Sequence, residues 1–364
     1  MLSVGLVGLP NVGKSTLFNA LTAGEAGVSN YPFTTIDSNV GVVPVPDARL
    51  ERLAELVDPE ETTPCFIEFI DIAGLVEGAS RGEGLGNRFL DAIRQVDAIG
   101  HVVRCFEDAE VAHVFGSVDP VRDVAVVETE LLLADLELLE RAMAKREKEW
   151  STRPREHAAE RQRWRRYREA LGAGRALRRL DLSAAERAEL RGMGLLTGRP
   201  VIYVANVGEE SLEGADGEPV LVRTLRESPE VAAAVVPVSA QLESELAELD
   251  EAERREMTAE LGLGESGLER LVATAFETLG LIRFYTLVSE KLRAWEIVAG
   301  TSAPRAAGKI HSDIEEGFIR ARVARSEDLL EHGSWQELQR LGLVRTEGRD
   351  YAVQDGDVIE FLFS

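Results

Sequence analysis

Near its start the chain reads Gly8–Leu9–Pro10–Asn11–Val12–Gly13–Lys14–Ser15, a match to G-x-x-x-x-G-K-[ST]. The glycines let the backbone curl until its N–H groups converge on phosphate oxygens. A helix starting there aims the positive end of its dipole at the same anion. Lys14 is placed to reach the β- and γ-phosphates and Ser15 to offer its hydroxyl to Mg²⁺; Asn11, Val12, Gly13 and Thr16 complete the cradle. Asp71–Ile–Ala–Gly74 follows the apolar run Phe66–Ile70. A carboxylate at a neighbouring strand tip holds Mg²⁺, usually through water, and Gly74 lets its N–H approach the γ-phosphate. Between them lies Tyr31–Pro–Phe–Thr34–Thr35, where the Thr35 hydroxyl would complete the Mg²⁺ shell while a γ-phosphate is present.

Two later segments fall where such a domain grips the base. Asn206–Val207–Gly208–Glu209 follows the run Val201–Ala205, and Ser239–Ala240 follows Val235–Val238. Guanine-specific domains carry N-K-x-D here, and the Asp accepts two hydrogen bonds from guanine. Val207 replaces the Lys and Glu209 replaces the Asp. Glu is one methylene longer, so the paired contact to guanine is lost or misplaced. A site built for a buried polar pair discriminates steeply when that pair fails.

The elements that must position these residues are legible as alternation. Apolar runs at Leu2–Val7, Cys65–Ile70, Ile99–Cys105, Val201–Ala205 and Val235–Val238 are of strand length and separated by helical patterns. Runs of this kind predict an α/β fold, a mostly parallel sheet covered by helices. Residues 128–196 interrupt it. Leu132, Leu136, Leu139 and Met143 recur at helical spacing, Pro154 breaks the chain, and Glu156–Leu171 resumes helical composition. This predicts a helical hairpin of coiled-coil type. Residues 141–180 hold 14 Lys or Arg against 5 Glu, so a solvated helical face and a polyanion-binding surface are both open. Beyond about residue 280 a small α+β domain is expected. Ala303–Gly308 reads as a loop, and Tyr351–Phe363 reads as two strands turning at Asp355–Gly356. The predicted division is 1–127 with 197–280 for the nucleotide domain, 128–196 for the insertion and 281–364 for the terminal domain.

Composition narrows the function classes. With 64 Asp and Glu against 41 Lys and Arg the formal charge is −23, so general DNA binding is not expected. Any contact with RNA must use a local basic face. Two cysteines, Cys65 and Cys105, exclude a disulfide scaffold and fit a reducing compartment. The sequence has neither a signal peptide nor an 18-residue apolar stretch, so a cytoplasmic protein without membrane contact is expected.

Six segments together carry a family resemblance: LPNVGKST at 9–16, NYPFTTID at 30–37, DIAGLVEGAS at 71–80, GEGLGNRFL at 82–90, NVGE at 206–209 and AAGKIHSDIEEGFIRA at 306–321. With them the chain resembles the Obg-like ATPases, the YchF family of P-loop NTPases, over essentially its whole length. The resemblance implies a G-domain that prefers ATP, a coiled-coil insertion, a C-terminal TGS domain of β-grasp (ubiquitin-like) fold, and association with ribosomes. It implies that Asn11 coordinates K⁺ beside the phosphates and that His113 aids hydrolysis. The family commonly has NMSE or NVNE where this chain has NVGE. Lys309, His311 and Arg320 lie in or beside the best-matching terminal segment.

Three functions compete: a ribosome-associated ATP-hydrolysing switch, a GTP-hydrolysing switch, and a nucleotide-responsive binding module with incidental hydrolysis. Leu75 stands where Ras-like domains place a water-orienting glutamine, so unaided turnover should be slow. Help would come from K⁺ near Asn11 or a partner that orders the loop, ahead of His113, which must travel. Glu209 predicts that ATP binds more tightly than GTP by about tenfold or more, roughly 1.4 kcal/mol. A competition assay checks this, and Glu209→Asp with Val207→Lys should recover GTP binding; equal native affinities would contradict it.

Overall fold

The computed structural model describes residues 1–23, 39–72, 85–211, 218–261 and 266–364. Its elements begin with β1 (Ser3–Val7), α1 (Lys14–Thr22), β2 (Val40–Pro44), α2 (Ala48–Val57), β3 (Glu61–Thr63) and β4 (Phe66–Asp71). Next come α3 (Leu85–Gln95), β5 (Ala98–Arg104), α4 (Pro120–Thr152), α5 (Ala158–Gly172), α6 (Ala184–Met193) and β6 (Val201–Asn206). Then follow α7 (Val220–Glu227), β7 (Val235–Val238), α8 (Ala240–Glu248), α9 (Glu251–Glu260) and α10 (Gly267–Thr278). The chain ends with β8 (Leu281–Val288), β9 (Lys291–Val298), α11 (Ala303–Ile310), α12 (Ser312–Glu316), β10 (Phe318–Arg325), α13 (Ser326–His332), α14 (Trp335–Leu341), β11 (Arg345–Glu347) and β12 (Asp357–Phe363). They divide into two compact units, residues 2–41 with 68–271, and residues 42–67 with 272–364 and Met1.

The first unit is built on a sheet of order β2-β4-β1-β5-β6-β7. The pairs β1/β4, β1/β5, β5/β6 and β6/β7 are parallel. Every residue of β1, β5 and β6 is buried, as expected of inner strands covered on both faces. The chain lays strands on one side of β1, then returns to lay β5, β6 and β7 on the other. Ligands of open α/β sheets bind at the carboxyl ends of strands at such a reversal.

From this sheet α4 runs for 33 residues, N-capped by Asp119 with Pro120 in its first turn. Leu139, Trp150, Trp164, Tyr167 and Leu171 form a core between α4 and α5, joined by Leu177 and Leu190. Trp150 and Trp164 meet edge to face, 5.4 Å between centroids. Their indole N–H groups donate to Glu160 and Glu189, each at 3.0 Å. Fully buried Asp135 accepts from Leu196 N–H, Thr197 N–H and Thr197 Oγ1 at 2.7–2.8 Å, pinning α4 to the segment that enters β6.

In the second unit the sheet order is β11-β10-β12-β8-β9-β3. β10 and β12 run antiparallel, β12 and β8 parallel, β8 and β9 antiparallel, and β3 and β9 parallel. Asp47 caps α2 and accepts the Tyr285 hydroxyl at 2.9 Å, fixing residues 42–67 against β8.

Two expectations are corrected here. Ala303–Ile310 is a helix, not a loop. Proline is tolerated in a first turn, and the alanines pack on Phe284 and Phe318. The end of the chain is not a hairpin. Gly356 turns with φ +86°, but Ala352 makes a single bridge to Ser302, while β12 pairs with β10 and β8.

His101 stands inside β5 beside the Tyr203 ring, 5.6 Å between centroids. Burial, with Arg178 nearby, pulls its pKa from 6.5 down to about 3. A depressed histidine stabilises the fold above its unfolded pKa, and that contribution fades as pH falls from 6.5 toward 3. The expected loss is about 2 kcal/mol by pH 5. Thermal unfolding at pH 7.5 and 5 checks this: the drop in midpoint should shrink in His101→Phe, and an equal drop would assign it to other groups.

Candidate functional site

The first unit gathers its polar residues at the carboxyl end of β1. Gly13 has φ +86°, and α1 starts on the next residue, so the backbone turns in a way that suits glycine alone. Lys14 is largely buried in the first turn and ion-pairs with Asp71. Ser15, the next residue, donates its hydroxyl to the other Asp71 oxygen at 3.2 Å. Asp71 reaches both because the parallel register sets it opposite Leu6, one residue before β1 ends. Thr35, Gly74 and Leu75 lie outside the described residues.

Asn206 closes the site from the far side. Its amide donates to the Val12 carbonyl at 2.8 Å, and its carbonyl oxygen accepts from Ala240 N–H at 3.0 Å. One buried side chain therefore ties the phosphate loop to the start of α8. Ser239 caps α8 by accepting from Leu242 N–H. Val207 is buried and donates its N–H to the Val238 carbonyl, while Glu209 lies exposed in a single 3-10 turn. Thr16 is half-buried in α1.

The segment after β5 approaches the same loop. Asn11, with φ +63°, donates its side-chain amide to the Ala112 carbonyl at 3.1 Å. The neighbouring His113 is almost fully buried and both ring nitrogens are engaged. Nε2 lies 2.8 Å from Asp123 Oδ2, and Nδ1 accepts from Phe115 N–H at 3.1 Å. These partners fix the Nε2–H tautomer.

Sequence reasoning missed Arg104. It ends β5, is 1% exposed, and donates to the carbonyls of Phe106, Asp108 and Val111 while stacking on the Phe106 ring. The available signal was a charged residue inside an otherwise apolar strand run. Cys105 beside it is a buried thiol, pushed up to about 12 by burial and then by Asp123. Cys65 is likewise raised by burial. Neither is reactive at neutral pH.

These contacts define a P-loop domain of the G-domain type, a class that binds nucleoside triphosphates at the carboxyl end of its first strand. Residues 3–134 match the family model described as "50S ribosome-binding GTPase". Residues 281–364 match YchF-GTPase_C, described as "Protein of unknown function (DUF933)". The "Ribosome-binding ATPase YchF" of Escherichia coli O157:H7 is 48% identical, with 99% of this chain and 98% of that protein aligned. Its namesake from Bacillus subtilis is 45% identical over 100% and 99%. The solved Schizosaccharomyces pombe "YchF GTPase" superposes with TM-score 0.88 at 34% identity, over 99% and 97% of the two chains. The chain belongs to the YchF family.

Asn206→Ala should loosen both halves of the site while leaving the sheet folded. It orphans a buried N–H and a buried carbonyl, each worth about 1–3 kcal/mol. ATP affinity measured by titration should fall at least about tenfold. Native affinity would show that the clamp does not shape the site.

Proposed function

We propose that this protein is an ATP-hydrolysing switch that binds the ribosome, acting in the cytoplasm. The observation that carries the chemistry is the meeting of Lys14, Ser15 and Asp71 at the N-terminus of α1. The full-length likeness to proteins named ribosome-binding ATPases supports the partner.

The donor set fits Mg²⁺. A hydroxyl and a carboxylate are hard oxygen ligands, and Mg²⁺ is usually held by one or two carboxylates together with substrate phosphates and water. Ser15 and Asp71 would hold it, with Thr35 as the third protein ligand. An ion held there would supply neutralising charge to the triphosphate. Lys14 would exchange Asp71 for those phosphates. Gly74 N–H would meet the γ-phosphate, while Asn206, Val207, Glu209, Ser239 and Ala240 surround the base. Asn11 donates its side-chain N–H to Ala112, and its carbonyl oxygen is the atom that would hold K⁺. Slow unaided turnover follows from Leu75 and from His113 being held away by its own partners. The S. pombe relative is named a GTPase, but Glu209 in this chain favours ATP.

In this reading residues 1–127 and 197–280 would serve the nucleotide, except 42–67, which fold with the terminal unit; 128–196 would be a helical arm and 281–364 a TGS-like terminal domain. The arm and the terminal domain carry the ribosome contact. On the arm, Arg163 and Arg166 pair with Glu189 and Glu186. Arg146 and Arg161 pair with Glu160 and Glu147. Arg165 and Arg168 are exposed one turn apart on α5, without a carboxylate partner among the described residues. They form the basic face that fits RNA phosphate.

Arg165→Glu with Arg168→Glu should weaken co-sedimentation with ribosomes and lower the salt dependence of log affinity by about 2. ATP affinity should be retained. Unchanged sedimentation would make this face a solvated one. Loss of ATP turnover in Lys14→Ala tests the chemistry separately.

A further inference from the structure

His113 is held by a closed set of contacts that reaches α4. Asp123, 1% exposed in the first turn of α4, uses both carboxylate oxygens. Oδ2 takes the His113 Nε2 proton at 2.8 Å, and Oδ1 accepts from Arg122 Nε and Nη2 at 3.1 and 2.9 Å. Arg122 reaches back over the loop to the Ser117 hydroxyl and carbonyl, and its guanidinium lies over the Phe115 ring at 4.9 Å. Phe115 N–H fills the other ring nitrogen of His113. One residue earlier, the Ala112 carbonyl is bound by Asn11 of the phosphate loop. The imidazole is therefore adjacent in sequence to a tether on the nucleotide site, while its Nε2 faces α4 and its Nδ1 is held by its own loop. Held so, it has neither a free lone pair nor a free proton to offer a water.

We infer that Asp123 is a positioning residue: it latches His113 away from the nucleotide, and release of this latch limits the unstimulated rate of hydrolysis. The inference rests on the reading, implied by the family resemblance, that His113 aids hydrolysis. It also gives α4 a part, because the helix that carries Asp123 continues into the arm. A hydrogen bond to a carboxylate is roughly twice as strong as a neutral one. Asp123→Asn keeps the shape and removes the charge, so the released population grows.

The test is single-turnover ATP hydrolysis with Mg²⁺ and K⁺, without ribosomes, in four proteins: native, Asp123→Asn, His113→Ala and the double variant. ATP affinity is measured alongside. Asp123→Asn should hydrolyse about tenfold faster with ATP affinity unchanged. In the His113→Ala background the same substitution should have no effect, which a merely structural role for Asp123 would not produce. A native rate in His113→Ala alone removes the participation of His113, and the latch with it. A slow His113→Ala beside an unaccelerated Asp123→Asn removes the latch alone. If Asp123→Asn fails to fold, imidazole NMR of the native protein decides. The latch requires an Nε2–H tautomer with slow proton exchange in nucleotide-free protein, lost on adding Mg²⁺ and a non-hydrolysable ATP analogue. An Nδ1–H tautomer, or no change on nucleotide binding, overturns it.

Discussion

Leu6 stands opposite Asp71 in the parallel pairing of β1 and β4, and the site depends on that register. Shifting it by one residue would turn Asp71 to the other face of the sheet and leave Lys14 largely buried without its carboxylate. The register is specified because β1 is buried on both faces, and Phe66, Ile67 and Phe69 of β4 must stay in the core. Packing of apolar side chains thus fixes the position of a charged pair that does no packing itself. The phosphate loop, the start of α1 and the Asn206 clamp are all placed relative to this strand pair.

Polar groups join the arm to the sheet in a similar way. Asp135 takes three donors from residues 196 and 197. Glu128, also on α4, pairs with Arg178 and accepts the Tyr203 hydroxyl of β6 at 3.2 Å. A buried carboxylate with its partners in place is tolerated, whereas one left alone is costly, so these contacts act as registration marks for α4. Asp123 belongs to the same helix, and through it the arm has a physical path to the loop beside the nucleotide.

The arm shows why charge counts mislead without coordinates. Its run of arginines reads as strongly basic, yet several are spent on Glu147, Glu160, Glu186 and Glu189, two of which lie outside the counted window. What remains of that window without an ion pair or side-chain hydrogen bond among the described residues is Arg165 and Arg168 on α5, Lys145 and Lys148 on α4, and Arg155 and Arg175 just outside α5. Ala303–Gly308 failed as a loop for a related reason. Its helix is stabilised by burial of alanines against Phe284 and Phe318, a contact absent from local composition.

Read along the chain, local pattern gave the chemistry of the phosphate loop, five of the six strands of the first unit's sheet (all but β2), and the helical character of the arm. Those follow from local rules: glycine at a left-handed turn, apolar runs of strand length, and leucines at helical spacing. Tertiary structure alone decided which distant groups meet. Asn206 with Val12 and Asp123 with His113 are contacts between residues that no local pattern couples. The same holds for Asp47 with Tyr285, which brings residues 42–67 into the second unit. Hydrophobic burial is written in periodicity and can be read along the chain. The partner of a buried polar group depends on where the fold brings a second group within about 3 Å, and that is known only once the chain is folded.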